Sequence, residues 1–288
     1  MVLSNKCPRL FFCLKWYGRF YPGEIGMKLI DCHAHLDEFE DVEAVLSRAA
    51  AAGVAGILGV GVNTATSIRI LEIAEKYSAP EIIPAIGLYP DEVTVKEIES
   101  ILALIDEEHA GLRGLGEIGL DYWIRPLRKK QPGRDEVKAL QQEAFRLQLR
   151  KARRYSLIPI IHSRGAWADS FRLAEEEGIE RAIFHWYTGP MDVLEKILAT
   201  GYHISATPAA VYSPQLQEVL LAAPLERIIL ETDCPVPRRE GDERIGTEPA
   251  DVRYSLEAVA ELKEIPEEEV ARITTETVCE LFSLSPGK

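Results

Sequence analysis

Two kinds of apolar pattern alternate along this chain. Short, nearly unbroken apolar runs occur at Lys28–Cys32, Gly56–Val62, Glu81–Ile86, Gly114–Ile118, Ile158–Ile161, Ala182–Phe184, Tyr202–Ser205 and Arg227–Leu230. Continuous runs of this length read as strands buried on both faces, the signature of parallel sheets covered by helices. Between them, apolar residues recur every three or four positions. This spacing predicts helices over Val42–Ala52, Ala65–Tyr77, Glu136–Ser156, Pro190–Thr200, Pro214–Ala222 and Asp251–Lys263. In the third of these, Ala139, Phe145, Leu149 and Ala152 share one face. The most loop-like stretch is Trp123–Asp135, which holds Pro126, Pro132 and Gly133.

Eight strand–helix units in alternation predict an α/β fold, a single (β/α)8 TIM barrel. The runner-up is an open doubly wound sheet. No G-x-G-x-x-G motif opens the first helix, so the dinucleotide-fold fingerprint is missing. At 288 residues and 47% hydrophobic, the chain matches one barrel. Residues 1–26 differ from the rest: they carry Lys6, Arg9, Lys15 and Arg19 against Glu24 alone. We read them as an N-terminal extension, either disordered or lying before the true start at Met27, with an ordered arm as the alternative. The barrel domain is then 27–288.

Composition narrows the function. The formal net charge is −13, and residues 27–288 alone hold 29 basic and 45 acidic side chains, a net of −16. A general nucleic-acid binder has the opposite sign, so a polyanionic substrate must be met by metal ions or a local basic patch. No apolar run approaches the roughly 20 residues of a membrane span. The five cysteines (Cys7, Cys13, Cys32, Cys234, Cys279) are odd in number and form no CxxC. That pattern predicts reduced thiols in a cytoplasmic protein.

The candidate chemistry lies where the apolar runs stop. Asp31-Cys32-His33-Ala34-His35 closes the first strand, and alternation allows Asp31, His33 and His35 to face one way, with Cys32 pointing to the helix layer. Glu117 lies at the glycine-flanked end of the fourth strand. His162 and His185 end the fifth and sixth, and Asp233 follows the eighth. Taken singly, each has a bland reading, a satisfied core histidine or a salt-bridged acid. Jointly they place four of the six histidines and two acids at C-terminal strand ends, which form one rim in a barrel. Imidazoles and carboxylates without thiolates suit Zn, Mn, Co or Mg. His109 and His203 lie elsewhere and read as structural or surface residues.

These blocks resemble the TatD-type metal-dependent deoxyribonucleases, within the amidohydrolase-like barrels. The match runs over His33-x-His35, Gly-Glu117-Ile-Gly-Leu-Asp, His162-x-Arg164, Phe-His185 and Glu-Thr-Asp233-x-Pro, spanning about Lys28 to Phe282. The resemblance implies two divalent ions (Mg, Mn or Zn), with His33, His35 and Asp233 on one, His162 and His185 on the other, and Glu117 bridging. It also implies hydrolysis of phosphodiester bonds in DNA, often from a 3′ end. The departures are Tyr89 where the family usually has His in Gly-x-His-Pro, Thr247-Glu248-Pro249 for Asn-Glu-Pro, Thr277 for a frequent Asn, and Tyr187-Thr188-Gly189 after His185.

The mechanism expected from this is attack on phosphorus by a metal-activated hydroxide, with Asp233 and Glu117 as catalytic carboxylates and Asp233 moving the proton. Arg164 and Tyr89 are the expected phosphate contacts. Arg125, Arg128, Lys129, Lys130 and Arg134 form a basic loop able to steer DNA, and Trp123 is placed to stack a base. The competing reactions are hydrolysis of a small amide, lactone or ester on the same two-metal site, and a non-catalytic binding barrel.

Overall fold

The computed structural model describes residues 28–124, 127 and 133–284. The extension 1–26, and with it Arg125, Arg128, Lys129 and Lys130, lies outside the described residues. Eight strands form one sheet in the order β1 to β8: Leu29–Ala34, Val54–Val60, Glu81–Ile86, Gly114–Asp121, Ile158–Arg164, Ile183–Phe184, His203–Ala206 and Ile228–Leu230. Every neighbouring pair is parallel. The ring closes through a parallel bridge between Ala34 and Cys234. This is the (β/α)8 barrel that the alternating pattern predicts.

The helices among the described residues are α1 Val42–Ala51, α2 Thr64–Lys76, α3 Val95–Glu108, α4 Arg134–Tyr155, α5 Trp167–Glu176, α6 Met191–Thr200, α7 Pro214–Ala222, α8 Val252–Lys263 and α9 Glu267–Leu281. The apolar spacing marks six of them, and the structure adds α3, α5 and α9. Helix starts follow local chemistry. Asp41, Thr94 and Ser213 each accept a hydrogen bond from a backbone N–H of the first turn, and Asn63 forms a reciprocal capping box with Thr66. After β8, a short hairpin pairs β9 (Arg238–Glu240) with β10 (Glu243–Ile245).

The core has two compartments. The outer one lies between strands and helices and includes Ile57, Ile86, Leu115, Ile161, Phe184 and Ile204. The inner one fills the barrel with Ile30, Leu58, Ile83, Ile160, Ile183 and Ile229, plugged by Val278, Cys279 and Phe282 from the end of α9. Cys32 belongs to the inner compartment, contrary to the helix-layer placement expected from alternation. Ile30, two positions earlier, is also in that compartment, so alternation runs unbroken to Cys32; the register irregularity between Asp31 and Ala34 instead lets the next residue, His33, reach the rim. The inner plug closes one end of the barrel, so the opposite, C-terminal rim is left for polar residues.

Candidate metal centre

Barrel closure itself assembles the first half of the site. His35 N donates to the Cys234 carbonyl at 2.9 Å, and Asp233 N donates to the His33 carbonyl at 3.0 Å. The histidine segment after β1 and the acid after β8 are thus stitched side by side, 200 positions apart in sequence. Asp233 holds a left-handed backbone, φ 55°, a conformation that Asp tolerates better than most residues. His33 Nε2 and His35 Nε2 face each other at 3.3 Å. Asp233 Oδ1 lies 3.6 and 3.5 Å from them, and Glu117 Oε2 lies 3.4 and 3.6 Å away.

The second half is built around the other oxygen of the same glutamate. Glu117 Oε1 is 2.8 Å from both His162 Nδ1 and His185 Nε2, which are themselves 3.2 Å apart. Glu117 is reached through a register shift in β4 between Leu115 and Ile118, and its N–H is held by the Gly61 carbonyl at 2.9 Å. Two residues on, Gly119 adopts φ 145° against β5, where any Cβ would fall 2.0 Å from the His162 carbonyl oxygen. Glycine is required there for β4 and β5 to approach closely enough to present Glu117 to His162.

Outer partners orient each ring. His35 Nδ1 donates to the Val60 carbonyl at 3.1 Å, which leaves Nε2 as the bare nitrogen. His162 Nε2 donates to Asp121 Oδ2 at 3.2 Å, leaving Nδ1. His185 Nδ1 sits 3.5 Å from Glu231 Oε1, itself fixed by the Trp186 N–H at 3.1 Å. Asp121 also binds Arg164 through Nε at 2.7 Å and Nη2 at 2.6 Å, and accepts from the Tyr89 hydroxyl at 3.3 Å. Asp121 and Glu231 carry no role in the sequence reading. Their signal was available, since both are acids at the end of an apolar strand, the criterion that picks out Glu117 and Asp233.

The electrostatics ask for positive charge. Burial opposes protonation of His35, but the Asp233 and Glu117 carboxylates outweigh it and push the imidazole up to about 9. His162 and His185 are also raised, against burial, by Glu117 and their outer acids. Burial would raise Glu117 and Asp233, yet the surrounding imidazoles hold both low. Buried carboxylates that hold protons on three imidazoles are equally served by divalent cations, which displace those protons on binding. Three overlapping groups have ligand atoms within 4.8 Å of one another: His33–His35–Glu117, His33–His185–Asp233 and Glu117–His162–His185. The donor set therefore fits metal.

Asp31 does not join this cluster. It is fully buried and accepts from Thr232 N at 2.8 Å and Thr232 Oγ at 2.6 Å, while burial pushes its carboxyl up to about 8. It ties β1 to the β8 end. Tyr89 stands with its ring edge-on to His162, centroids 4.8 Å apart. Burial and the Glu117 and Asp121 charges drive its phenol well above the ordinary range, so it remains a hydrogen-bond donor. Trp123 is 48% exposed and meets Trp167 edge-to-face at 5.6 Å. Glu248 accepts a forked pair of hydrogen bonds from Arg48, and Thr247 Oγ donates to the Val236 carbonyl, so both hold the loop after β8. His109 stacks on Tyr155 at 4.0 Å, and His203 lies at the start of β7, at the other end of the barrel from the β7 C-terminus.

A parallel (β/α)8 barrel with buried imidazoles and a shared carboxylate at its C-terminal rim defines the class of metal-dependent hydrolase barrels. Residues 30–283 match the family model for TatD related DNases, and the chain belongs to the TatD family. It is 30% identical to the human deoxyribonuclease TATDN3 over 269 residues, covering 89% of this chain and 95% of that one. It is 35% identical to the metal-dependent hydrolase YabD of Bacillus subtilis, covering 89% and 100%. Among solved structures, the TatD homologue YJJV of Escherichia coli superposes with a TM-score of 0.79 at 26% identity, covering 90% and 99%. This chain is accordingly a metal-dependent hydrolase of the TatD family. No helix among the described residues is long and apolar enough to cross a membrane.

Proposed function

We propose that this protein cleaves phosphodiester bonds in DNA at a two-ion centre: His33, His35 and Asp233 would hold one divalent ion, His162 and His185 a second, and Glu117 would offer an oxygen to each. The observation that carries this reading is the division of one carboxylate: Glu117 Oε2 faces one histidine pair and Oε1 faces the other. Divalent ions bound there supply Lewis acidity and bring a water's pKa towards neutrality. The chain's own residues do the rest. Asp233, kept ionised, accepts the proton of the attacking water and returns it to the leaving oxygen. Arg164, its side chain about half exposed, offers Nη1, the nitrogen not engaged by Asp121, to a phosphate oxygen. Tyr89, held protonated, has one hydroxyl proton, given to Asp121 here, and it can turn that proton to a phosphate oxygen from the place where a charged imidazole would otherwise stand. The buried, free cysteines Cys32 and Cys234 agree with a cytoplasmic setting.

The test is a metal-loaded assay on single-stranded DNA, bis-p-nitrophenyl phosphate and p-nitrophenyl acetate, with Asp233→Asn beside the wild type and metal content read by elemental analysis. We expect turnover of both phosphodiesters and loss of about 10²- to 10⁴-fold in kcat in the variant. Turnover of the acetate alone would favour amide or ester substrates. Full activity in Asp233→Asn would remove the mechanism.

A further inference from the structure

We propose that the β9–β10 hairpin is a phosphate strap, whose paired arginines Arg239 and Arg244 hold the nucleic-acid backbone beyond the scissile bond. This rests on the phosphodiesterase reading of the metal centre.

The hairpin is rooted at that centre. Val236 N donates to the Asp233 carbonyl at 3.0 Å, and Thr247 Oγ closes the hairpin base on the Val236 carbonyl at 2.8 Å. The two strands therefore rise from a proposed ligand, on the rim where the substrate arrives. Their register sets the charge on each face. Arg239 pairs with Arg244, Arg238 with Ile245, and Glu240 with Glu243. Directly opposed residues in an antiparallel ladder share a face, and residues two apart along a strand do so too. One face then carries Arg238, Glu240, Glu243 and Ile245. Its arginine is held by the protein: Arg238 ion-pairs with Glu240 at 2.7 Å and lies 4.2 Å over the Tyr254 ring.

The other face carries only Arg239 and Arg244. Both are exposed, and neither has an ion pair among the described residues. Arg239 sits 5.7 Å from the ring of Tyr212, in the loop that follows β7 on the same rim. Like charges set directly opposite each other in a ladder are unfavourable. The hairpin's own acids do not share that face of the ladder: Glu240 and Glu243 lie on the opposite one, and Asp242 is in the turn. Two guanidinium groups on one face without ion pairs can each donate to a phosphate, and an anion between them turns the repulsion into attraction. A linear polyanion running from the metal centre past β7 and β8 supplies that anion.

The experiment compares kcat/KM for a single-stranded DNA oligonucleotide and for bis-p-nitrophenyl phosphate, across salt, in wild type, R239A/R244A and the charge-matched remote control R69A/R272A, all metal-loaded. Losing two phosphate contacts should lower the slope of log kcat/KM against log salt by about 1.4, about 0.7 for each contact on a single strand. The small diester should be cleaved equally by all three proteins, and the control should keep the wild-type slope. Melting temperatures serve as the folding check, and R239A/R244A should not fall below wild type. An unchanged slope in R239A/R244A overturns the strap and leaves the phosphodiesterase reading standing. Wild type that turns over the small diester but no oligonucleotide overturns both the DNA reading and the strap.

Discussion

Replacing Asp121 by Asn tests whether the imidazoles are tuned for metal by their outer partners. The carboxylate is fully buried. Its Oδ1 accepts from Trp123 N at 2.7 Å, and its Oδ2 serves Arg164 at 2.6 and 2.7 Å, His162 at 3.2 Å and Tyr89 at 3.3 Å. An amide keeps one acceptor and turns an NH2 group towards donors, whichever way it is flipped. A hydrogen bond to a charged group is worth about 1.5–3 kcal/mol. Arg164 is about half exposed and regains water, so its share is discounted. A net loss of about 2 kcal/mol remains, or about 4–8 °C in melting temperature. The sharper effect falls on His162. Without the Asp121 carboxylate, the proton on Nε2 loses its charged acceptor, and Nδ1 is less firmly reserved for a cation. Loss of such a partner costs about 10–100-fold in metal affinity. His33, His35 and Asp233 make no hydrogen bond or ion pair with Asp121 among the described residues, so their half of the site should keep its affinity. Calorimetric titration of metal into chelator-stripped protein should show one binding phase displaced and the other unmoved. Equal weakening of both phases, or of neither, would refute the claim that Asp121 acts through His162.

Two further outcomes follow from the fold around the site. His203 is buried beside Arg227, 3.5 Å from its Nε2; burial first, then the Arg227 and Arg181 charges, push it down to about 4. The unfolded chain takes up that proton near pH 6.5, so stability is complete above this pH and declines as pH falls towards 4, by at most about 3 kcal/mol. His203→Gln should flatten the fall in melting temperature between pH 7 and 4.5, and parallel curves would rule this out. At Gly165, φ is 68° and an added Cβ would meet Trp123 Nε1 at 2.4 Å. Gly165→Ala should cost about 1–2 kcal/mol in denaturant unfolding and shift tryptophan emission as the indole is displaced; wild-type values of both would count against the packing described.

The linear order of residues was sufficient for the architecture. Near-continuous apolar runs such as Ile158–Ile161 can be buried only in a covered parallel sheet, and their alternation with helical periods leaves a barrel as the closed solution. It also marked His33, His35, Glu117, His162, His185 and Asp233, because desolvating an ionisable group at the end of an apolar strand is costly without a partner. What the chain order did not decide is which atoms meet. The irregular register between Asp31 and Ala34 lets Cys32 line the barrel while its neighbour His33 still reaches the metal cluster and Asp31 binds Thr232, a break that strict alternation does not contain. The division of Glu117 between two histidine pairs, the hold of Asp121 on His162, Arg164 and Tyr89, and the opposition of Arg239 to Arg244 all join residues through closure and strand register. Hydrogen bonds and charge act over a few ångströms, and only the folded backbone brings positions as distant as His33 and Asp233 within that range.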